Sequence, residues 1–300
     1  MPAGCSDKDG ATTAAGKKPS TPVGGTTLPC QCPTKVEFKE HGTNYGFDDR
    51  TDSTVPWKSV EKGKSDTVKA QITPPDRASK AEFVSVSPDK VTVSPATAST
   101  DNQIVTVSGV DNGTSEVQST CGGNILGKMQ VKTYTKKTKT VAVMLVNEKS
   151  YNSTDITDQK IKDYLEKVYK QAVFEFKVTR LPAKTVEFDK NKDGKVDVNS
   201  WMSDEMKAIR DACKDDGYDH NIFLVDNPSD NSLGFMDFNQ RYGFVHADKA
   251  LNPELSFSHE IGHGGFGLRH TPGDSDNIMY NFYSPAMWRL RKDQWDIINP

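Results

Sequence analysis

Residues 259–270 read His-Glu-Ile-Gly-His-Gly-Gly-Phe-Gly-Leu-Arg-His. On an α-helix four residues advance about 6 Å and turn little more than once, so His259 and His263 leave the same face. Two such imidazoles can reach one zinc ion at about 2.0–2.1 Å. Glu260, beside the first ligand, is not spent on the metal and is placed to take a proton from a water that the ion activates. Glycine in a helix interior costs about 1 kcal/mol relative to alanine. Gly264, Gly265 and Gly267 therefore predict that the helix stops soon after His263, with one glycine in the left-handed conformation that ends helices. The chain can then bring His270 back as a third ligand. Three protein ligands and one open corner is the layout of catalytic zinc, whereas structural zinc is closed by four.

The stretch resembles the metzincin zinc peptidases, whose signature is HExxHxxGxxH followed by a methionine-containing turn. Asp276-Asn277-Ile278-Met279-Tyr280 is similar to that turn. Here Gly267 and His270 each come one residue late, giving HExxHxxxGxxH, and a bulge at Gly264-Gly265 is the cheapest place for the extra residue. His270 is the expected third ligand, with Asp274 or Asp276 as the alternative. The resemblance implies a zinc endopeptidase acting on protein or peptide, with Met279 beneath the metal. Tyr280 is a candidate oxyanion donor, and Tyr283 stands beside it as an alternative.

A second pattern lies upstream. Asp189, Asn191, Asp193, Gly194 and Asp197 match positions 1, 3, 5, 6 and 9 of a calcium loop, with Lys195 offering its carbonyl. Position 12 is Ser200 rather than glutamate, and Asp204 or Glu205 can substitute. Hard oxygen donors around a glycine favour Ca2+.

The elements that position these residues can be read from periodicity. Residues 1–34 are rich in Gly, Ala, Ser, Thr, Pro and Lys and read as a flexible tail or linker. Residues 35–137 carry about seven short strands with turn signals between them, the pattern of an antiparallel sandwich. Val91-Thr92-Val93-Ser94-Pro95-Ala96-Thr97 is similar to bacterial immunoglobulin-like domains. Residues 138–300 change period. Thr140–Val146 is a near-continuous apolar run, as in a strand buried on both faces. Ile161, Tyr164, Leu165, Val168, Tyr169 and Ala172 recur at helical spacing, after a cap at Asp155 or Thr157. Phe174, Phe176 and Val178 alternate. A short helix follows at Asp204–Cys213, then a strand at Ile222–Val225. One or two strands lie within 233–247, one of them an edge strand beside the cleft. Asn252 caps the histidine helix with Pro253 at its first position. Met287, Leu290, Arg291, Trp295 and Ile298 predict a last amphipathic helix. The expected fold is therefore multidomain: an all-β immunoglobulin-like sandwich, then an α/β (α+β) metzincin-like zincin domain with a mixed sheet.

Composition narrows the classes. A net charge of -3, with 38 Lys+Arg against 41 Asp+Glu and no basic run, points away from nucleic acid. No apolar stretch reaches the 18 or so residues of a membrane span. Met1–Cys5 lacks the apolar segment of a conventional signal peptide, so the expectation is a secreted or cell-surface protein whose signal has been removed or that uses specialised export. A secretion-machinery or surface partner would engage the N-terminal region. Five cysteines do not read as a disulfide framework. A competing class is a non-catalytic surface adhesin whose sandwich does the binding and whose metal site is vestigial.

Overall fold

The computed structural model describes residues 32–42, 44–52, 54–147, 156–199, 202–246, 248–249, 252–284 and 286–300. The tail expected over 1–34 lies almost wholly outside them, as do Cys5, Cys30, Asp155 and Ser200. The described chain is mixed α/β with three sheets.

Nine strands come first: β1 (Lys35–Glu40), β2 (Phe47–Asp48), β3 (Trp57–Glu61), β4 (Ser65–Thr73), β5 (Glu82–Ser85), β6 (Val91–Ser94), β7 (Asn102–Gly109), β8 (Gly113–Cys121) and β9 (Asn124–Tyr134). They form two sheets, ordered β1-β4-β7-β6 and β2-β3-β9-β8-β5. Alternation sends Val36, Phe38, Val68, Ala70, Ile72, Val105, Val107, Val117, Met129 and Val131 into one shared core. Most pairings are antiparallel, but β3 runs parallel to β9, so the expected wholly antiparallel arrangement is corrected. β2 and β3 were not among the expected strands. In β3 the sequence Trp-Lys-Ser-Val-Glu hides its burial, because Lys58 and Ser59 are inside. Lys58 is tolerated there because its ammonium sits 2.5 Å from the Asp66 carboxylate and also donates to the Tyr45 and Gly46 carbonyls.

Cys32 and Cys121 form a disulfide, which corrects the expectation that the five cysteines make no disulfide framework. The pair is 89 residues apart in sequence, so spacing could not reveal it. It follows from β1 crossing over β9, where Gly127 lets the Val36 carbonyl approach to 1.9 Å of where a Cβ would stand. Cys213 is a buried free thiol whose pKa burial pushes up.

The second half is built on β10 (Lys137–Leu145), α1 (Asp158–Tyr169), β11 (Phe174–Arg180), α2 (Asp204–Cys213), β12 (His220–Val225), β13 (Gly234–Met236), β14 (Tyr242–His246), α3 (Pro253–Phe266) and α4 (Lys292–Ile298). The sheet order is β11-β10-β12-β14-β13. Four strands are parallel and β13 is an antiparallel edge. Val141, Val143, Leu145, Ile222 and Leu224 face α1 and α3. Met144, Val146, Phe223 and Val225 face α2 through Met206, Ile209 and Cys213. Covered on both faces, β10 and β12 need apolar side chains at nearly every position. Thr157 caps α1, accepting from the Lys160 amide. The last helix is shorter than its apolar pattern implies. Met287 and Leu290 are buried, but they precede α4 in irregular backbone. Among the described residues no helix is long and apolar enough to cross a membrane.

Candidate metal centre and active site

α3 begins as its sequence requires: the Asn252 side chain accepts from the Leu255 amide, and Pro253 occupies the first turn. It does not end where its glycines suggest. The helix runs through Gly264 and Gly265 to Phe266, and Gly267 alone takes the left-handed conformation, with φ 67°. The Gly267 amide donates to Gly262 and His263, and the Leu268 amide to Gly262, closing the helix end. The extra residue is thus absorbed as one more helical residue and not as a bulge. The helical glycines have packing reasons instead. A Cβ on Gly262 would stand 2.4 Å from the Met279 sulfur, and one on Gly264 would stand 2.2 Å from Met236.

The turn after Gly267 brings His270 against His259 and His263. Their Nε2 atoms are 3.1 Å apart for 259–263, 3.1 Å for 263–270 and 3.2 Å for 259–270. Among the described residues this is the one group of three or more His, Cys, Asp or Glu whose ligand atoms converge. Tetrahedral bonds of about 2.0–2.1 Å would separate such nitrogens by about 3.3–3.4 Å, so the spacing fits zinc. The tautomers fit as well. His259 Nδ1 lies 2.7 Å from the Ile278 carbonyl and His263 Nδ1 2.7 Å from the Leu268 carbonyl. A carbonyl only accepts, so each Nδ1 carries the proton and each Nε2 presents a lone pair. Lone pairs converging at 3.1 Å repel unless a cation sits between them. Burial holds the His259 pKa down at about 3, with the neighbouring His263 adding to the effect. Burial likewise lowers His263 to about 4 and depresses His270. The rings are neutral, as metal ligation requires.

Asp274 and Asp276, the alternative ligands, are engaged elsewhere. Asp274 meets Arg50 at 2.9 Å and Arg291 at 2.7 Å. Asp276 meets Arg50 at 3.2 Å and Arg289 at 3.5 Å.

Glu260 points to the other side of the trio, against the edge strand. A Cβ on Gly234 of β13 would stand 2.7 Å from its Oε1. Burial raises its pKa from 4.5 to about 8, opposed by a hydrogen bond from the Met236 amide. A carboxyl poised near neutrality suits proton transfer. The three histidines and Glu260 open onto a cleft of about 510 Å³ between β13 and residues 280–287. Tyr280 lies in its wall, its ring 5.7 Å from that of Phe282, and Phe238, Phe282 and Tyr283 are exposed on the rim. Met279 is fully buried beneath α3.

The upstream acidic loop is closed by its own backbone. Asp189 accepts from the Asp193 and Gly194 amides, and the Lys195 amide donates to Asp193. Glu205 accepts from the Lys190 and Asp197 amides, while Asn191 donates weakly to Asp197 at 3.4 Å. These carboxylates are not gathered as a metal-holding group, and the calcium expectation gains no support. His220 and His246 stay apart from the trio. His220 lies 3.4 Å from Lys139, and His246 is fully buried at the end of β14.

Sequence reasoning missed Gly234, Arg50 and the two orienting carbonyls. A strand glycine beside a carboxylate, or a main-chain oxygen, leaves no pattern in the sequence.

No protein-family model matches the sequence, and no curated protein matches it. Among solved structures, archaemetzincin from Methanopyrus kandleri is similar at 15% identity over 53% of this chain and 93% of its own, with a TM-score of 0.40. The S-layer protein SbsC is similar in its domains 5–6 at 22% identity, over 31% of this chain and 44% of that one, with a TM-score of 0.23. Its domains 1–6 are similar at 24% identity over 25% and 11%, with a TM-score of 0.22. These are loose likenesses, and the chain is placed in no family by them.

Proposed function

We propose that this chain is a zinc-dependent endopeptidase. The observation that carries the reading is the convergence of three imidazole Nε2 atoms beside a buried glutamate in an open cleft. His259, His263 and His270 would hold the ion, and its chemistry there would be Lewis acidity, acidifying a water and polarising a scissile carbonyl. Glu260 takes the proton from the attacking water and passes it to the leaving amine. β13 has one free edge along the cleft, where an extended peptide can pair through its backbone. Tyr280 or Tyr283, both lining the cleft, would donate to developing negative charge on the carbonyl oxygen. The disulfide supports a working location in an oxidising compartment, outside the cell or on its surface.

The test is zinc content by mass spectrometry together with cleavage of a quenched peptide library, for the parent and Glu260→Gln. The variant keeps stoichiometric zinc and loses about 10²–10⁴-fold in rate. A variant that cleaves like the parent, or a parent without zinc, overturns the reading.

A further inference from the structure

The loop from His270 to Tyr280 serves two of the three histidines. It carries His270, and its Ile278 carbonyl orients His259 at 2.7 Å. Its ends are tied together by the Thr271 amide donating to Met279 at 2.8 Å. Its tip belongs to no helix or strand: the Trp288 and Arg289 amides donate to the Asp276 carbonyl and the Ile278 amide to the Arg289 carbonyl, and side chains fix the rest. The Asn277 side chain bonds Gln294, and Asp274 bonds Arg291, both from the same half of the molecule.

Asp276 also meets Arg289 of that half at 3.5 Å, and a further brace comes from the other half. Arg50, in the segment between β2 and β3, donates to Asp274 at 2.9 Å and to Asp276 at 3.2 Å, and reaches the Leu290 carbonyl at 3.4 Å. Asp274 is 6% exposed at its side chain and Arg50 23%, so water screens this pair only in part. Nη1 of Arg50 donates to both carboxylates while Nη2 reaches the Leu290 carbonyl, a planar arrangement that a lysine ammonium does not reproduce. Arg50 is itself held. Asp48, fully buried, accepts from the Arg50 and Thr51 amides and from the Lys292 amide at 2.7 Å. Behind it, buried Lys58 fixes the Tyr45 and Gly46 carbonyls. Gly46 lies so close to the C-terminal helix that a Cβ there would stand 2.3 Å from Trp295.

We infer that Arg50 is a positioning residue for the metal centre: the N-terminal β-sheet half sets the geometry of His270 and His259 by bracing the 270–280 loop through Asp274 and Asp276. The β-sheet half is then part of the active centre and not a spacer. This inference rests on the zinc reading above. Outer partners of metal ligands change metal affinity by about 10–100-fold when lost.

The experiment uses the full chain as the parent, Arg50→Gln, Arg50→Lys, Asp274→Asn and the Arg50→Gln/Asp274→Asn double variant. Zinc affinity is measured by competition with a chromophoric chelator, and cobalt substitution gives the absorption spectrum of the coordination sphere. Arg50 touches no ligand itself, so Arg50→Gln is expected to weaken zinc less than loss of a direct partner would, about 2–30-fold. Arg50→Lys should fall between parent and Arg50→Gln, and Arg50→Gln should cost less in the Asp274→Asn background than in the parent, because only its Asp276 contact is then left to lose. The cobalt spectrum should shift towards fewer protein ligands. A role confined to holding the fold would lower the unfolding midpoint and leave the affinity and spectrum of the folded protein unchanged. That outcome overturns the inference. If Arg50→Gln fails to fold, Arg50→Lys and Asp274→Asn decide by the same criterion. A parent that binds no zinc sinks the peptidase reading itself, whereas a zinc-binding parent with indifferent variants sinks only the role of Arg50.

Discussion

Replacing Glu260 by glutamine in the zinc-stripped protein should make it more stable at high pH and leave it unchanged at low pH. Burial raises the Glu260 carboxyl from 4.5 to about 8, with the Met236 amide opposing. One pKa unit corresponds to about 1.4 kcal/mol, so the buried anion costs on the order of 4–5 kcal/mol once ionised. That is a large part of the 5–15 kcal/mol typical of a folded domain. Because the folded-state pKa is the higher one, the protonated acid's contribution is complete below about pH 4.5. It is lost progressively as pH rises through about 8. Glutamine is neutral throughout, keeps the shape and still accepts from the Met236 amide. His259 and His263 have depressed pKa values, so their contribution is present above about 6.5 and lost as pH falls towards 3–4. Both proteins share them, and they cancel in the difference. The assay is urea unfolding with EDTA at pH 5–9, read by the fluorescence of fully buried Trp295. The variant's advantage should be about 1 kcal/mol or less at pH 5 and a few kcal/mol by pH 9. It should shrink when zinc is restored, because a nearby cation favours the carboxylate. A difference that stays constant within about 0.5 kcal/mol over the whole range would refute the buried-acid argument.

Two further predictions concern the frame around the centre. Cys121→Ser, or reduction of the Cys32–Cys121 bond, should cost about 2–5 kcal/mol in unfolding free energy while zinc stoichiometry is kept, because the bond closes a long loop. Gly265→Ala and Gly267→Ala should differ in sign or size. The first replaces a helix-interior glycine, worth up to about 1 kcal/mol, against a 3.3 Å approach to His220, and should be nearly neutral. The second puts a side chain at φ 67° and 2.8 Å from Asn239 and should cost about 1–2 kcal/mol by thermal unfolding. Equal effects would place the helix end elsewhere.

The parts of the fold that were legible in the sequence are those where one physical demand dominates. β10 announces itself because burial on both faces leaves almost no polar position between Val141 and Val146. α2 was bounded correctly at Asp204 and Cys213, because Met206, Ile209 and Cys213 recur on one face and nothing competes. β3 was invisible because a buried ion pair replaces its apolar side chains: Lys58 with Asp66 satisfies the interior but reads as surface. The C-terminal pattern misled in the opposite direction. Met287 and Leu290 are apolar because they pack beneath the metal turn and α1, where burial needs no helix. The disulfide was hidden because its two cysteines meet only through the crossing of β1 and β9, a contact between distant parts of the chain.

At the metal centre, residue types were legible and their supports were not. Imidazoles four apart on a capped helix leave few alternatives, and the glycine–histidine run predicts a return. What the pattern leaves open is how a chain with one residue too many still closes the triangle. Continuing the helix through Gly264 and Gly265 turns the chain about 100° per residue and advances it about 1.5 Å. A left-handed residue at Gly267 then reverses it, and Leu268 lands with its carbonyl on His263. The spacing is therefore a property of the helix end, and a motif counted in residues cannot report it. The same reasoning explains why the other supports escaped notice. A carbonyl from Ile278, an amide from Met236 and a guanidinium from a loop more than 200 positions earlier each act by place and not by type. The centre is consequently more sensitive to the docking of its two halves than its motif implies.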